Sequence, residues 1–100
     1  MSVTLKEEDV LSVLGSENRR RILRYLCDRK GYASTSEIEE KTQIKMGNVG
    51  FHCNKLADRG LVDKELVDGK LMWRITQKGL KVLEEVDKRE KERNTGKKNE

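Results

Sequence analysis

Residues 60–76 read GLVDKELVDGKLMWRIT, and the middle of that stretch decides what kind of domain this is. Asp68-Gly69 lies between two apolar-rich runs. An Asp-Gly pair in that setting marks a tight hairpin, because a type I′ turn requires positive φ at both central residues. The spacing predicts strands over residues 61–67 and 70–75. In the second, Leu71, Trp73 and Ile75 alternate with Lys70, Met72 and Arg74, so one face of the ribbon is expected to be buried.

Upstream of the hairpin the pattern is helical. Val49, His52, Cys53 and Leu56 follow the i, i+3, i+4, i+7 spacing of one buried stripe, predicting a helix over about 46–59 that Gly60 closes. A tight turn through Gln43 and Ile44 separates it from a short helix that ends near Thr42. That helix is opened by the capping box Ser34-Thr35-Ser36-Glu37, with Ile38 inward. Tyr32 and Ala33 before it are extended at most. Ile22, Leu23, Leu26 and Cys27 recur at helical spacing in a second helix that starts after Ser16 and ends before Gly31. Thr4-Leu5-Lys6-Glu7 reads as a capping box for the first helix, which carries Val10, Leu11 and Leu14 and stops at Gly15. Downstream, Thr76 is placed to cap a last helix with Leu80, Leu83 and Val86. From Asp87 onward no apolar residue occurs, so residues 1–86 are expected to form the domain and 87–100 a charged, disordered tail.

The order is then helix, helix, helix, turn, helix, hairpin, helix: a mainly α fold with a small β-hairpin. The third and fourth helices make a helix-turn-helix, with the hairpin at 62–75 as its wing. Composition is compatible with this. One hundred residues suffice for one domain, charged residues make up 40% and apolar ones 34%, and the formal net charge of +4 suits a nucleic-acid partner. No secretory leader and no membrane-length apolar run is read, so a cytoplasmic protein with no membrane partner is expected. Cys27 and Cys53 fit no disulfide or zinc spacing. No Ser/His/Asp arrangement, phosphate loop or convergent acid pair suggests an enzyme, and no cofactor, metal or small-molecule effector is implied.

Leu14-Gly15 with Arg19 and Arg21-Ile22-Leu23, then Ser36-Glu37-Ile38, Gly47-Asn48-Val49, His52 with Leu56, Gly60-Leu61-Val62, and Ile75-Thr76 with Gly79 stand in a fixed order. In that order the chain resembles the winged-helix transcription regulators of the ArsR-like and MarR-like kind, over roughly residues 10–86. The resemblance implies a homodimer on double-stranded DNA, with the fourth helix in the major groove and the wing on the backbone or minor groove. Three departures stand out. Cys53 takes a place usually held by Leu, and Lys45 stands where a capping Ser, Thr or Asp is common. The paired cysteines of the metal-sensing members are absent from the third helix, which reads Ser36-Glu37-Ile38-Glu39-Glu40.

On the fourth helix, Gly47, Phe51, Asn54 and Asp58 lie opposite the buried stripe. Asn54 is suited to bidentate pairing with adenine, and Lys45 and Lys55 to phosphate or guanine. Gly47 and Gly50 allow close backbone approach, and Asn48 falls in the same segment. Phe51 either meets thymine methyl groups or docks on a neighbouring helix or partner chain. Lys64, Lys70 and Arg74 are the wing's candidate phosphate contacts. Val10, Leu11, Leu80, Leu83 and Val86 are read as a dimer seam, with core packing as the alternative. His52 is expected as a core-edge histidine bonded to backbone, and both cysteines as buried. Arg19, Arg20, Arg21 and Arg24 are read as a solvated helix face beside Glu17 and Asp28. A protein-interaction winged helix within a larger assembly is the second reading of the whole.

Overall fold

The computed structural model describes residues 6–45 and 47–98. The elements are α1 (Glu7–Leu14), α2 (Glu17–Arg29), β1 (Ala33–Ser34), α3 (Thr35–Thr42), α4 (Asn48–Asp58), β2 (Val62–Val67), β3 (Lys70–Ile75) and α5 (Gln77–Lys98). The strands form one antiparallel sheet in the order β1-β3-β2. Val67 pairs with Lys70 across a two-residue turn in which Asp68 (φ 51°) and Gly69 (φ 78°) are both left-handed. This is the turn that the Asp-Gly pair demands.

Helix starts follow the capping residues. Ser16 Oγ accepts from the Arg19 N–H at 3.2 Å, and Ser34 Oγ from the Glu37 N–H at 3.1 Å. Thr76 Oγ1 accepts from the Gly79 N–H at 3.0 Å. In the Ser34 box only this half of the exchange is made. The Glu37 carboxylate turns instead to the Tyr25 hydroxyl and the Arg29 guanidinium, which hold its pKa below the usual carboxylate range. Thr4, read as the first cap, lies outside the described residues; α1 begins after Lys6 with no side-chain cap. Met46, read as the first residue of the fourth helix, also lies outside them, and α4 starts at Asn48.

One core serves all the helices. Val10 and Val13 of α1, Ile22, Leu23 and Leu26 of α2, Ile38 of α3, Val49, Cys53 and Leu56 of α4, and Val82, Leu83 and Val86 of α5 are buried together with Trp73. In β2 only Val62 is buried, so the ribbon stands away from the body beyond its root. Leu71, expected on the buried face, is exposed, because it lies past the end of the core near the turn.

The arginines of α2 are not simply solvated. Arg19 donates to the Ser12 carbonyl at 3.2 Å and Arg20 to the Leu14 carbonyl, both in the last turn of α1. Arg21 donates to the Thr42 carbonyl at 3.2 Å, the last residue of α3. Helix C-termini present carbonyls without intrahelical partners and carry partial negative charge, so three consecutive guanidinium groups complete two helix ends. Arg24 pairs with Asp87 and Arg20 with Glu90, at 2.9 Å for the second.

Those two pairs also bear on the segment expected to be a disordered tail. The structure continues α5 through it to Lys98, without a break at Val86. Arg89 bridges to Glu7 of α1 at 3.0 Å and to Glu85 one turn back at 3.8 Å. A proline-free run of Lys, Arg and Glu is a good helix former, and here it has partners on α1 and α2. A buried carboxylate that the sequence did not advertise lies at the other end of α5. Asp9 is 3% exposed and meets Lys78 Nζ at 2.7 Å and Arg59 Nε at 3.7 Å, joining α1 to the ends of α4 and α5.

Gly79 fixes how closely α5 approaches the root of the wing. A Cβ there would stand 2.1 Å from the Leu61 carbonyl oxygen and 2.7 Å from Ile75 Cγ1. Backbone cannot yield that distance without moving the helix. Gly79→Ala is therefore expected to destabilise by about 1–3 kcal/mol, the usual range for overpacking. Gly50 of α4 has open space around the same position, so Gly50→Ala should stabilise by about 0.5–1 kcal/mol through reduced chain entropy. Urea midpoints of the two variants should move in opposite directions.

Candidate nucleic-acid interface

The outward face of α4 is open. Asn48, Phe51, Asn54 and Lys55 are exposed, while Val49, Cys53 and Leu56 on the other side are buried. Phe51 is 56% exposed, and Lys55 Nζ sits 5.3 Å from its ring centroid. Of the readings open for Phe51, docking on a neighbouring helix of the same chain is not what the structure shows. A Cβ built at Gly47 or Gly50 meets nothing within 4 Å, so a ligand's approach to this backbone is unobstructed.

The turn before α4 explains how the helix manages with Lys45 where a capping side chain is common. Gln43 closes α3 in the left-handed region and Ile44 is buried as the anchor of the turn. The cap position falls on Gly47, which has no side chain to offer. Glu39 of α3 supplies the acceptor instead, its Oε2 lying 3.3 Å from the Gly47 N–H. The two helices of the motif are thus joined through the start of the second.

The wing meets α4 directly. Lys64 Nζ donates to Asn54 Oδ1 at 2.9 Å and lies 5.7 Å from the centroid of Trp73. Two residues named separately in the sequence, one as a base reader and one as a phosphate contact, therefore form one unit. Arg74 is on the other face of the ribbon, paired with Asp63 at 3.2 Å and stacked 4.9 Å from the Tyr32 ring centroid. Lys45 and Lys70 are exposed and make no ion pair among the described residues. Of the residues assigned to a dimer seam, Val10, Leu83 and Val86 are buried within the protomer's own core. Leu11 and Leu80 remain exposed. Leu80 and Cys27 line an open groove of about 400 Å³ between α2 and α5.

His52 lies behind the outward face of α4 and bonds to side chains, not to backbone as expected. Arg19 Nη1 is 3.4 Å from Nδ1 and the Asn18 carboxamide is 3.5 Å from Nε2. Arginine only donates, so Nδ1 accepts from Arg19; a neutral ring then carries its proton on Nε2, and the Asn18 amide must turn its oxygen rather than its nitrogen toward that N–H to accept it. Burial and the Arg19 charge both hold the imidazole below its ordinary range. The Cys53 thiol is pushed up to about 12 by burial, which leaves no thiolate at neutral pH. Cys27 is half-buried and not fully enclosed as expected. Among the described residues no group of three or more His, Cys, Asp or Glu side chains is arranged to hold a metal ion. No helix there is long and apolar enough to cross a membrane.

Residues 14–65 match the family model of the helix-turn-helix domain. The chain belongs to that family. No curated protein matches the sequence. Solved structures extend the likeness to between 79% and 84% of the chain. Sco5413, a MarR family transcriptional regulator from Streptomyces coelicolor, is 28% identical with a TM-score of 0.67, over 79% of this chain and 57% of that one. The transcriptional repressor BigR from Xylella fastidiosa is 20% identical with a TM-score of 0.67, over 80% and 78%. Sso10a-2, a DNA-binding protein from Sulfolobus solfataricus, is 12% identical with a TM-score of 0.71, over 84% and 88%. The chain spans 57% of the length of Sco5413 and of the YusO protein from Bacillus subtilis. The fold is that of winged helix-turn-helix transcription regulators.

The histidine supplies a pH test with a defined sign. Its folded pKa is below the unfolded value of about 6.5, so in that window the unfolded chain binds the proton that the folded chain resists. The stability it contributes is complete above about 6.5 and is lost as the pH falls from there through the lower folded value. Urea midpoints measured from pH 7.5 down to 5 should fall more steeply for the native protein than for His52→Asn. Parallel curves would show that His52 does not titrate differently on folding.

Proposed function

We propose that this protein is a regulator of transcription that binds double-stranded DNA as a homodimer. In this reading α4 enters the major groove and the β2–β3 ribbon lies along the backbone or the minor groove. The observation that carries it is the Asn54–Lys64 bond. It sets an amide suited to a base edge and a cation suited to a phosphate side by side, on a face whose outer side chains are free of the core. On binding, the Asn54 amide turns its oxygen and nitrogen to adenine and releases Lys64 to the backbone. Lys45, Asn48, Lys55 and Lys70 add contacts around this unit, Phe51 meets thymine methyl groups, and Gly47 and Gly50 let the helix backbone come close. Arg74, held by Asp63 and Tyr32, acts mainly by shaping the ribbon.

For the dimer, the exposed Leu11 and Leu80 are the contacts available on the outer helices, with the groove beside Leu80 able to receive a partner side chain. The helix-turn-helix family and the net charge also support a cytoplasmic, non-enzymatic role. A protein-binding role is the second reading, favoured by the exposure of Phe51 at the centre of the face.

Affinity against salt concentration, on a selected duplex and on random duplex, separates the roles. Asn54→Ala should cost about 1–3 kcal/mol on the selected site and little on random DNA. Lys70→Ala should weaken both alike and lower the salt slope by about one unit. If Phe51→Ala, Asn54→Ala and Lys70→Ala all leave duplex affinity unchanged while the fold is intact, the face binds protein and not DNA. Sedimentation equilibrium at tens of micromolar, an order-of-magnitude choice for a specific dimer, should show a dimer for the native chain. It should shift toward monomer for the Leu11→Ser, Leu80→Ser variant.

A further inference from the structure

Strand alternation sorts the side chains of the wing in an unusual way. Residues paired across an antiparallel ribbon share a face, and successive residues alternate faces. Val62, Lys64 and Leu66 of β2 therefore lie on the same side as Ile75, Trp73 and Leu71 of β3. The Lys64 ammonium over the Trp73 ring confirms that side as the one turned toward α4. The other side holds Asp63, Glu65, Lys70 and Arg74. Both acids of the strands are thus on the far face. On the near face Lys64 is the only charged group, and it is positive.

Beyond Lys64 on that face come two leucines that pair directly, Leu66 with Leu71. They are 68% and 38% exposed, outside the reach of the core. A directly opposed apolar pair steadies a hairpin modestly, yet these two leucines stay exposed instead of packing on the body of the protein. The near face of the strands carries no acid, the one acid at the tip being Asp68, whose left-handed backbone makes the turn. An apolar pair next to a cation, continuous with the outward face of α4, is complementary to one kind of partner in particular. The walls of a duplex minor groove are apolar sugar edges, and its rims are phosphates. Apolar side chains placed there unstack a base step and bend the duplex.

We infer that Leu66 and Leu71 form an apolar wedge that enters the minor groove beside the site read by α4, opening a base step and bending the DNA. Lys64 holds the adjoining phosphate. This rests on the DNA-binding reading above and adds deformation of the duplex to it. It also gives the protein preference for flexible pyrimidine–purine steps at positions that α4 does not touch.

The probe is a set of 30-base-pair duplexes containing the selected site, labelled at both ends for energy transfer. Each carries 2-aminopurine at one successive step beside the site. The native protein should raise end-to-end transfer and brighten 2-aminopurine at one step. Leu66→Ser, Leu71→Ser should abolish both signals and weaken binding about tenfold, as expected when two leucines that the groove would only partly cover lose that contact. Its salt slope should not change, because no charge is removed. Both residues are exposed, so the melting temperature should hold. The Leu66→Met, Leu71→Met protein, apolar but reshaped, should restore bending and brightening. Equal bending and affinity for the serine and native proteins would overturn the wedge while leaving the DNA-binding reading in place. A serine protein that binds normally but sediments as a smaller species than the native chain would also overturn it, assigning the leucines to contact between copies. Failure of the native protein to bind any duplex would remove both readings together.

Discussion

Trp73 is the constraint on which the arrangement of this domain depends. It is fully buried in a ribbon whose residues from Asp63 to Leu71 are all exposed, and its indole N–H donates to Thr35 Oγ1 at 2.8 Å. A buried indole needs a partner for its N–H, and Thr35 is the first residue of α3. Ala33 of β1 pairs with Trp73 on the backbone side. One side chain therefore registers the wing against the start of the helix-turn-helix. Because Lys64 lies over the same ring and bonds Asn54, the position of Trp73 also sets how the ribbon and α4 face each other. Removal of so large a side chain would leave a cavity at the junction of three elements, at a cost of about 3–5 kcal/mol.

Electrostatics completes what apolar packing begins. The short helices α1 and α3 each end in carbonyls that α2 satisfies with consecutive arginines. Asp9 brings a carboxylate into the protein among Lys78 and Arg59. A buried charge is tolerable only where partners replace water. The pairing also shows why a chain with 40% charged residues does not amount to a uniformly solvated shell. Much of that charge is internal wiring between helices, and only part of it is available to a partner.

Local chemistry made the framework readable. Asp68-Gly69 specified its turn, Ser16, Ser34 and Thr76 specified helix starts, and the stripe Val49, Cys53 and Leu56 specified which side of α4 is inward. What escaped sequence reading was long-range pairing. Nothing near Glu37 in the chain reveals that its carboxylate will choose Tyr25 and Arg29 over its own helix start. Nothing near Asp9 reveals Lys78. The continuation of α5 was missed because a run without apolar residues was judged by its lack of a core face, although ion pairs with Glu7 and Arg20 supply the contact. Within the candidate site, exposure of Phe51 and Asn54 followed from the helical wheel. The Asn54–Lys64 bond did not, because it depends on how the ribbon leans. Val82, fully buried in α5, was overlooked because its neighbour Leu83 already fitted the spacing.

The seating of α1 has a consequence for the order in which the protein is made. The helix rests on both α2 and α5: Ile22, Leu23, Val82 and Val86 share the core of Val10 and Val13, Arg19 and Arg20 complete its last turn, Lys78 binds Asp9, and Arg89 binds Glu7. Chains emerge from the ribosome N-terminus first. Therefore α1 has no complete resting place until α5 has appeared. The intervening helix-turn-helix and hairpin can assemble among themselves meanwhile, around Trp73. Vectorial synthesis thus leaves a closing step in which α5 meets α1 last, and a nascent chain halted before α5 would keep part of the apolar face of α1 exposed to chaperones and proteases.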